Sequence, residues 1–172
     1  MNPYDSGLNQ GNAREWSPIS KPRDALQRAP NLADYPAAYD GFSWDQVRAQ
    51  LDGLPGGGLN IAHEALFRHL KGPVADRVAI RFLAQGAAAK DCTYRELATD
   101  ARRFANVLVQ LGVQRGERVA SLMGRVPPLY ATVLGTLAAG AIYCPLFSAF
   151  GPEPVKSRLV LGSARVLVTT DL

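Results

Sequence analysis

Arg118-Val119-Ala120-Ser121-Leu122-Met123 is a short apolar run, Pro127 to Ala139 is a longer one, and Ala141-Ile142-Tyr143-Cys144-Pro145-Leu146 is short again. The two short runs have the length of strands, and the long one has the length of a helix. Pro127 suits a first helical residue, because the N–H it lacks would be unpaired there anyway. Leu129 to Ala139 is apolar nearly all round, which predicts a helix held between other layers, and Gly140 ends it. Strand, helix and strand in this order make a βαβ unit.

The alternation continues on both sides of this unit. Downstream, Pro152 opens a helix, Glu153 suits its positive end, Gly162 closes it, and Val166 to Thr169 is a further strand. Upstream, Thr93 and Glu96 have the spacing of a capping box. Tyr94, Leu97, Ala98, Ala101, Phe104, Ala105, Leu108 and Leu111 then recur at helical spacing until Gly112. Before that helix, Val78 to Leu83 is a β-rich run, followed by a Gly and Ala segment. Asn60 is placed to cap a helix over Ile61 to Leu70 whose buried face is Leu66, Phe67 and Leu70. Near-continuous apolar strands separated by helices predict an α/β fold: a parallel sheet with right-handed crossovers and flanking helices.

Three segments follow from this reading. Residues 1–40 hold five of the twelve prolines and no periodic apolar positions, so they read as an extended arm. Residues 41–75 carry short helices, with Phe42, Trp44, Val47 and Leu51 at near-helical spacing. Residues 76–172 are the α/β domain, which breaks off after a strand where such folds require another covering helix. The chain is therefore expected to be a fragment.

Composition narrows the function. The net charge is +4, from 19 Lys and Arg against 15 Asp and Glu, and the basic residues are interspersed with acids rather than stacked in a run. Neither that pattern nor the aromatic placement resembles a nucleic-acid platform, so no nucleic-acid partner is expected. No apolar stretch reaches the roughly 18 residues that cross a bilayer, so no membrane partner is expected and the reading is cytoplasmic. Two cysteines, Cys92 and Cys144, are too few for a disulfide scaffold.

Open parallel sheets bind ligands beyond the carboxyl ends of their strands. After Met123 comes Gly124-Arg125, where an arginine could face a phosphate but a solvated side chain is the commoner case. After Leu146 comes Phe147-Ser148-Ala149-Phe150-Gly151-Pro152-Glu153, two aromatics with small residues between them and a helix start whose free amides favour anions. This is the best binding candidate, against the alternative that the phenylalanines merely cover the sheet end. Gly135 to Gly140 mimics part of a phosphate loop, but Ala141 stands where Lys is required. His63 and His69 are six residues apart and on different helix faces, so no metal site is expected. No catalytic constellation is legible.

Leu59-Asn60-Ile61-Ala62-His63-Glu64-Ala65-Leu66-Phe67-Arg68-His69 resembles the entry helix of acetyl-CoA synthetases, within the superfamily of adenylate-forming ligases. Thr93-Tyr94-Arg95-Glu96-Leu97 resembles the superfamily's first core motif, and Leu137 to Leu146 the second. The resemblance implies attack of acetate on Mg-ATP to give acetyl-adenylate and pyrophosphate, then displacement of AMP by CoA. It implies ATP, CoA and Mg as cofactors, with the ATP and Mg sites downstream of Leu172, so that this fragment alone is inactive. It also implies that Phe147, Ser148 and Ala149 occupy the place of a Phe-Gly-Gly segment that lies against CoA. Ser148 and Ala149 replace the glycines, which would hinder any backbone of positive φ there.

Two alternatives stand beside this reading. One is a ligase for another short-chain or aromatic acid, such as propionate or benzoate. The other is a non-catalytic binding or assembly module on the same scaffold. An incompletely covered sheet also leads us to expect self-association.

Overall fold

The computed structural model describes residues 30–170. They fall into two units, one ending at Gln46 and the other beginning at Val47. Helix α1 (Tyr35–Asp40) lies in the first unit, in a segment read above as extended. It forms because the Asp34 side chain accepts the Ala37 N–H at 3.1 Å and Pro36 is compatible with a first turn. The remainder of the expected arm, residues 1–29, lies outside the described residues. Helix α2 (Trp44–Ala49) realises the Phe42, Trp44, Val47 spacing, and neither short helix buries a residue.

Asn60 caps α3 (Ile61–Ala65), accepting the His63 N–H at 3.1 Å, and its Nδ2 also donates to Leu137 O at 2.7 Å. The helix expected to run through Leu70 changes to a 3₁₀ segment at Phe67–Lys71. Glu64 ties the preceding loop to α3: its carboxylate accepts the amides of Asp52 at 3.0 Å and Gly53 at 2.7 Å and pairs with Arg68 at 2.6 Å. Desolvation would raise the Glu64 pKa, but those two amides and the guanidinium outweigh it and hold the group below its ordinary value.

Strand β1 (Val78–Phe82) does not join the parallel sheet as expected. It pairs antiparallel with β2 (Lys90–Thr93), with Ile80 opposite Cys92, Arg81 opposite Asp91 and Phe82 opposite Lys90. The connection from Leu83 to Ala89 is shorter than the roughly dozen residues a parallel crossover needs, and Gly86 at φ +72° lets it turn back. Arg81 and Asp91 then form a two-pronged ion pair at 2.6 and 2.7 Å across the strands.

Helix α4 (Tyr94–Gln110) starts on the expected capping box: Glu96 N donates to Thr93 Oγ1 at 3.2 Å, and Thr93 N to Glu96 Oε2 at 2.8 Å. The Thr93 amide, then its hydroxyl, hold the Glu96 carboxyl below its ordinary value of 4.5. That contribution to stability is complete above the ordinary value and lost as pH falls through the lower, folded one. Removing the cap by Thr93→Ala is expected to cost about 1 kcal/mol at neutral pH, read by urea denaturation.

The main sheet consists of β3 (Arg118–Leu122), β4 (Ile142–Pro145) and β5 (Ala164–Thr169), all parallel, in the order β4-β3-β5. Helix α5 (Pro127–Ala138) connects β3 to β4, and α6 (Pro152–Leu161) connects β4 to β5. As its composition predicted, α5 is covered nearly all round, with only Pro128 and Tyr130 exposed along it. Central strand β3 buries Val119, Ala120 and Ser121. One core cluster joins Leu66, Leu97, Ala98 and Ala101; a second joins Leu108, Val113, Val119 and Ala141, with Val166 and Val168 packed on it. The opposite sheet face is thinly covered, leaving Ile142 48% and Leu167 40% exposed.

Candidate functional site

Because β3, β4 and β5 are parallel, their carboxyl ends share one edge, from which the loops after Met123, Leu146 and Thr169 leave. The chain moves outward from β3 to β4 and then back across β3 to β5. Right-handed crossovers then place α5 and α6 on opposite faces. The Arg118 Nε to Gly162 O bond of 2.7 Å fastens the carboxyl end of α6 to the sheet. In the order β4-β3-β5 the chain steps from β3 to one side and then to the other, so the topological switch point, where open sheets offer a crevice, lies between β3 and β5.

The Phe147 loop leaves the carboxyl end of β4, the strand on the other side of β3 from β5. Leu146 N donates to Ser121 O at 2.8 Å, carrying the pairing one residue beyond β4. Phe150 N then donates to Phe147 O at 3.0 Å, which closes a turn with Ser148 and Ala149 at its centre. Neither central residue has positive φ, so this turn needs no glycine and the two substitutions are accommodated without strain. Phe147 is 65% exposed, and Ser148 and Ala149 are exposed beside it.

The turn brings the two phenylalanine rings edge to face, with centroids 5.6 Å apart at 82°. The Arg158 guanidinium lies 4.2 Å from the Phe150 ring centroid, and its Nη1 donates to Pro154 O at 3.1 Å. A cation is thereby fixed beside an exposed aromatic platform, at a helix start that Gly151 and Pro152 open. Glu153 in the same first turn opposes anion binding at those amides. Sequence reading placed Phe147, Ser148 and Ala149 correctly on one loop but missed Arg158. Only the helical rise after Pro152 brings it back over Phe150.

The other candidates separate from this site. Arg125 is exposed, with no hydrogen bond or ion pair among the described residues. Gly135 to Ala138 lies inside α5 and not in a strand-to-helix turn. His63 Nε2 is 2.7 Å from Asp52 Oδ2, while the His69 ring meets Tyr94 edge-on at 5.9 Å. Among the described residues no three His, Cys, Asp or Glu side chains converge as metal ligands, so the residues present do not fit a Mg site. No helix among them is long and apolar enough to cross a membrane. Burial pushes the Cys92 thiol up, which makes it a poor nucleophile.

The family model described as AMP-binding enzyme matches residues 66–172, more than half of the chain. The chain belongs to the AMP-binding enzyme family. Among family relatives, an acetyl-coenzyme A synthetase of Bacillus subtilis is 35% identical over 147 residues, covering 85% of this chain and 26% of the relative. The Citrobacter koseri acetyl-coenzyme A synthetase is 39% identical over 116 residues, 67% of this chain and 18% of its own length. A solved acyl-CoA synthetase of Brucella canis superposes with a TM-score of 0.72 at 36% identity, covering 78% of this chain and 24% of that one. The chain thus spans about a quarter or less of the length of these AMP-binding relatives.

Proposed function

We propose that this chain supplies the first part of an AMP-forming acid–thiol ligase, with acetate as the acid. In this reading ATP and acetate give acetyl-adenylate and pyrophosphate, and CoA then displaces AMP. Support for acetate is the naming of relatives at 35% and 39% identity as acetyl-coenzyme A synthetases. The described residues contribute scaffold and one ligand contact, and no step of the reaction is routed through a metal held by them.

The observation that carries the ligand contact is the Phe147, Phe150 and Arg158 group beyond the carboxyl end of β4. Phe147 offers a face for the adenine of CoA, the small Ser148 and Ala149 allow close approach, and Arg158 offers a cation to its phosphates. Calorimetric titration of the 172-residue chain with CoA tests this. Binding is expected to weaken at least fivefold in Phe147→Ala and to lose most of its salt dependence in Arg158→Gln. CoA binding unchanged by both substitutions would remove the assignment. The same chain incubated with acetate, ATP and Mg is expected to release no pyrophosphate, and clear turnover would overturn that expectation.

A further inference from the structure

Hydrogen-bond phase decides which backbone groups the three-stranded sheet leaves unused. Ile142 N donates to Glu117 O and Leu146 N to Ser121 O, both at 2.8 Å, so the backbone of Glu117, Val119 and Ser121 is turned toward β4. The intervening Arg118, Ala120 and Leu122 are turned toward β5. Ala120 stands opposite Leu167, and in a parallel ladder a residue bonds to the neighbours flanking the one it faces, here Val166 and Val168. Leu167 and Thr169 therefore point their N–H and C=O groups away from β3, and no other described strand pairs with them. The register shift beside Arg118 falls at Arg165, so the regular edge runs from Val166 to Thr169. That stretch carries no charge and no proline, the devices that ordinarily keep a strand edge unpaired. The β4 edge differs. Ile142 and Cys144 bond to β3, which leaves Tyr143 and Pro145 outward, and Pro145 has no N–H to offer.

We infer that the β5 edge pairs antiparallel with the β5 edge of a second copy of this chain, about a twofold axis at Val168. Leu167 then faces Thr169 of the second copy, and each such pair exchanges both backbone N–H···O bonds. Val168 faces Val168 of the second copy as a close pair without hydrogen bonds. A twofold axis normal to the sheet keeps like faces on the same side. Val166 and Val168, packed on the core cluster, stay on the covered face in both copies, while Leu167, 40% exposed, meets its apolar counterpart on the face that also carries Ile142. A second copy suits this edge because the same uncharged residues supply both sides, so no like charges are brought opposite one another. Pro145 blunts the β4 edge, so sheet pairing closes at a dimer and does not propagate. The inference stands apart from the CoA contact, which lies on the loop after β4.

Sedimentation equilibrium of the full 172-residue chain is expected to show a reversible dimer and no larger species. Leu167→Pro deletes an N–H that β3 does not use, so it should leave the fold intact and weaken the dimer by at least about tenfold. Leu167→Lys, which keeps the N–H but adds a charge to the edge, is expected to do the same, and it serves where the proline variant fails to fold. Amide hydrogen exchange of the unaltered chain supplies a readout that needs no variant. Protection of the Leu167 and Thr169 amides should rise with protein concentration, while the Val168 amide, bonded to β3, stays protected throughout. A monomer at the highest soluble concentration, or a dimer that survives both substitutions, would overturn the inference. So would an associated chain with unprotected Leu167 and Thr169 amides, which puts the interface elsewhere, or a monomer with both protected, which puts another segment of this chain on the edge.

Discussion

Gly135→Val is expected to lower the unfolding free energy by roughly 3 kcal/mol, the upper part of the range for overpacked cores. Helices α4 and α5 cross with Gly135 against Ala101. A Cβ at Gly135 would stand 2.5 Å from the Ala101 carbonyl oxygen and 3.0 Å from Phe104 Cδ1. The phenyl ring can rotate, but the carbonyl belongs to the α4 backbone, so the two helices would have to separate. Replacing a helical glycine ordinarily gains up to about 1 kcal/mol of helix propensity, and that gain is the smaller effect here. Gly135→Ala should therefore destabilise too, by less than Gly135→Val. Urea denaturation of both variants decides it, and Gly135→Ala as stable as the parent would mean the helices part easily at this crossing.

The same crossing marks the limit of what the sequence discloses. Apolar content made α5 legible as a buried helix, and the capping box with Gly112 bounded α4, because these signals are local and hold wherever the helix packs. The need for glycine at position 135 is different, since it depends on Ala101, far away along the chain. Strand β2 was hidden for a related reason. Lys90-Asp91-Cys92-Thr93 has little apolar alternation of its own, and its strand character comes from pairing with β1 and from the Arg81 to Asp91 bridge. Without that partner in view, the apolar run of β1 reads as one more strand of the parallel sheet. In the candidate site, Phe147, Ser148 and Ala149 were visible through their place after an apolar strand. Arg158 was not, because seven residues of turn and helix separate it from the ring it covers.

Leu108→Ala is expected to cost about 3 kcal/mol, within the range of roughly 2–5 kcal/mol for truncating a fully buried leucine. Leu108 has no exposed surface and lies in the cluster with Val113, Val119 and Ala141, against which Phe104, Val166 and Val168 pack. Its side chain therefore joins α4 to β3, and through Val166 and Val168 to β5. Val119 comes from central strand β3 and Val166 and Val168 from its neighbour β5, whose backbones are tied by sheet pairing, so the vacated space would close only in part and the cavity term would add to the lost burial. Leu161→Ala provides the contrast, since Leu161 is 86% exposed and its truncation should change stability by less than about 0.5 kcal/mol. The consequence extends to function. The Phe147 loop is held to β3 by the Leu146 to Ser121 bond, so loosening the β3 core should weaken CoA binding at Phe147 even though Leu108 lies far from that loop in sequence. Denaturation midpoints measured with and without CoA test both parts. A Leu108→Ala chain as stable as the parent would contradict the placement of the core, and one that is destabilised yet shows unchanged CoA affinity would separate the loop from its support.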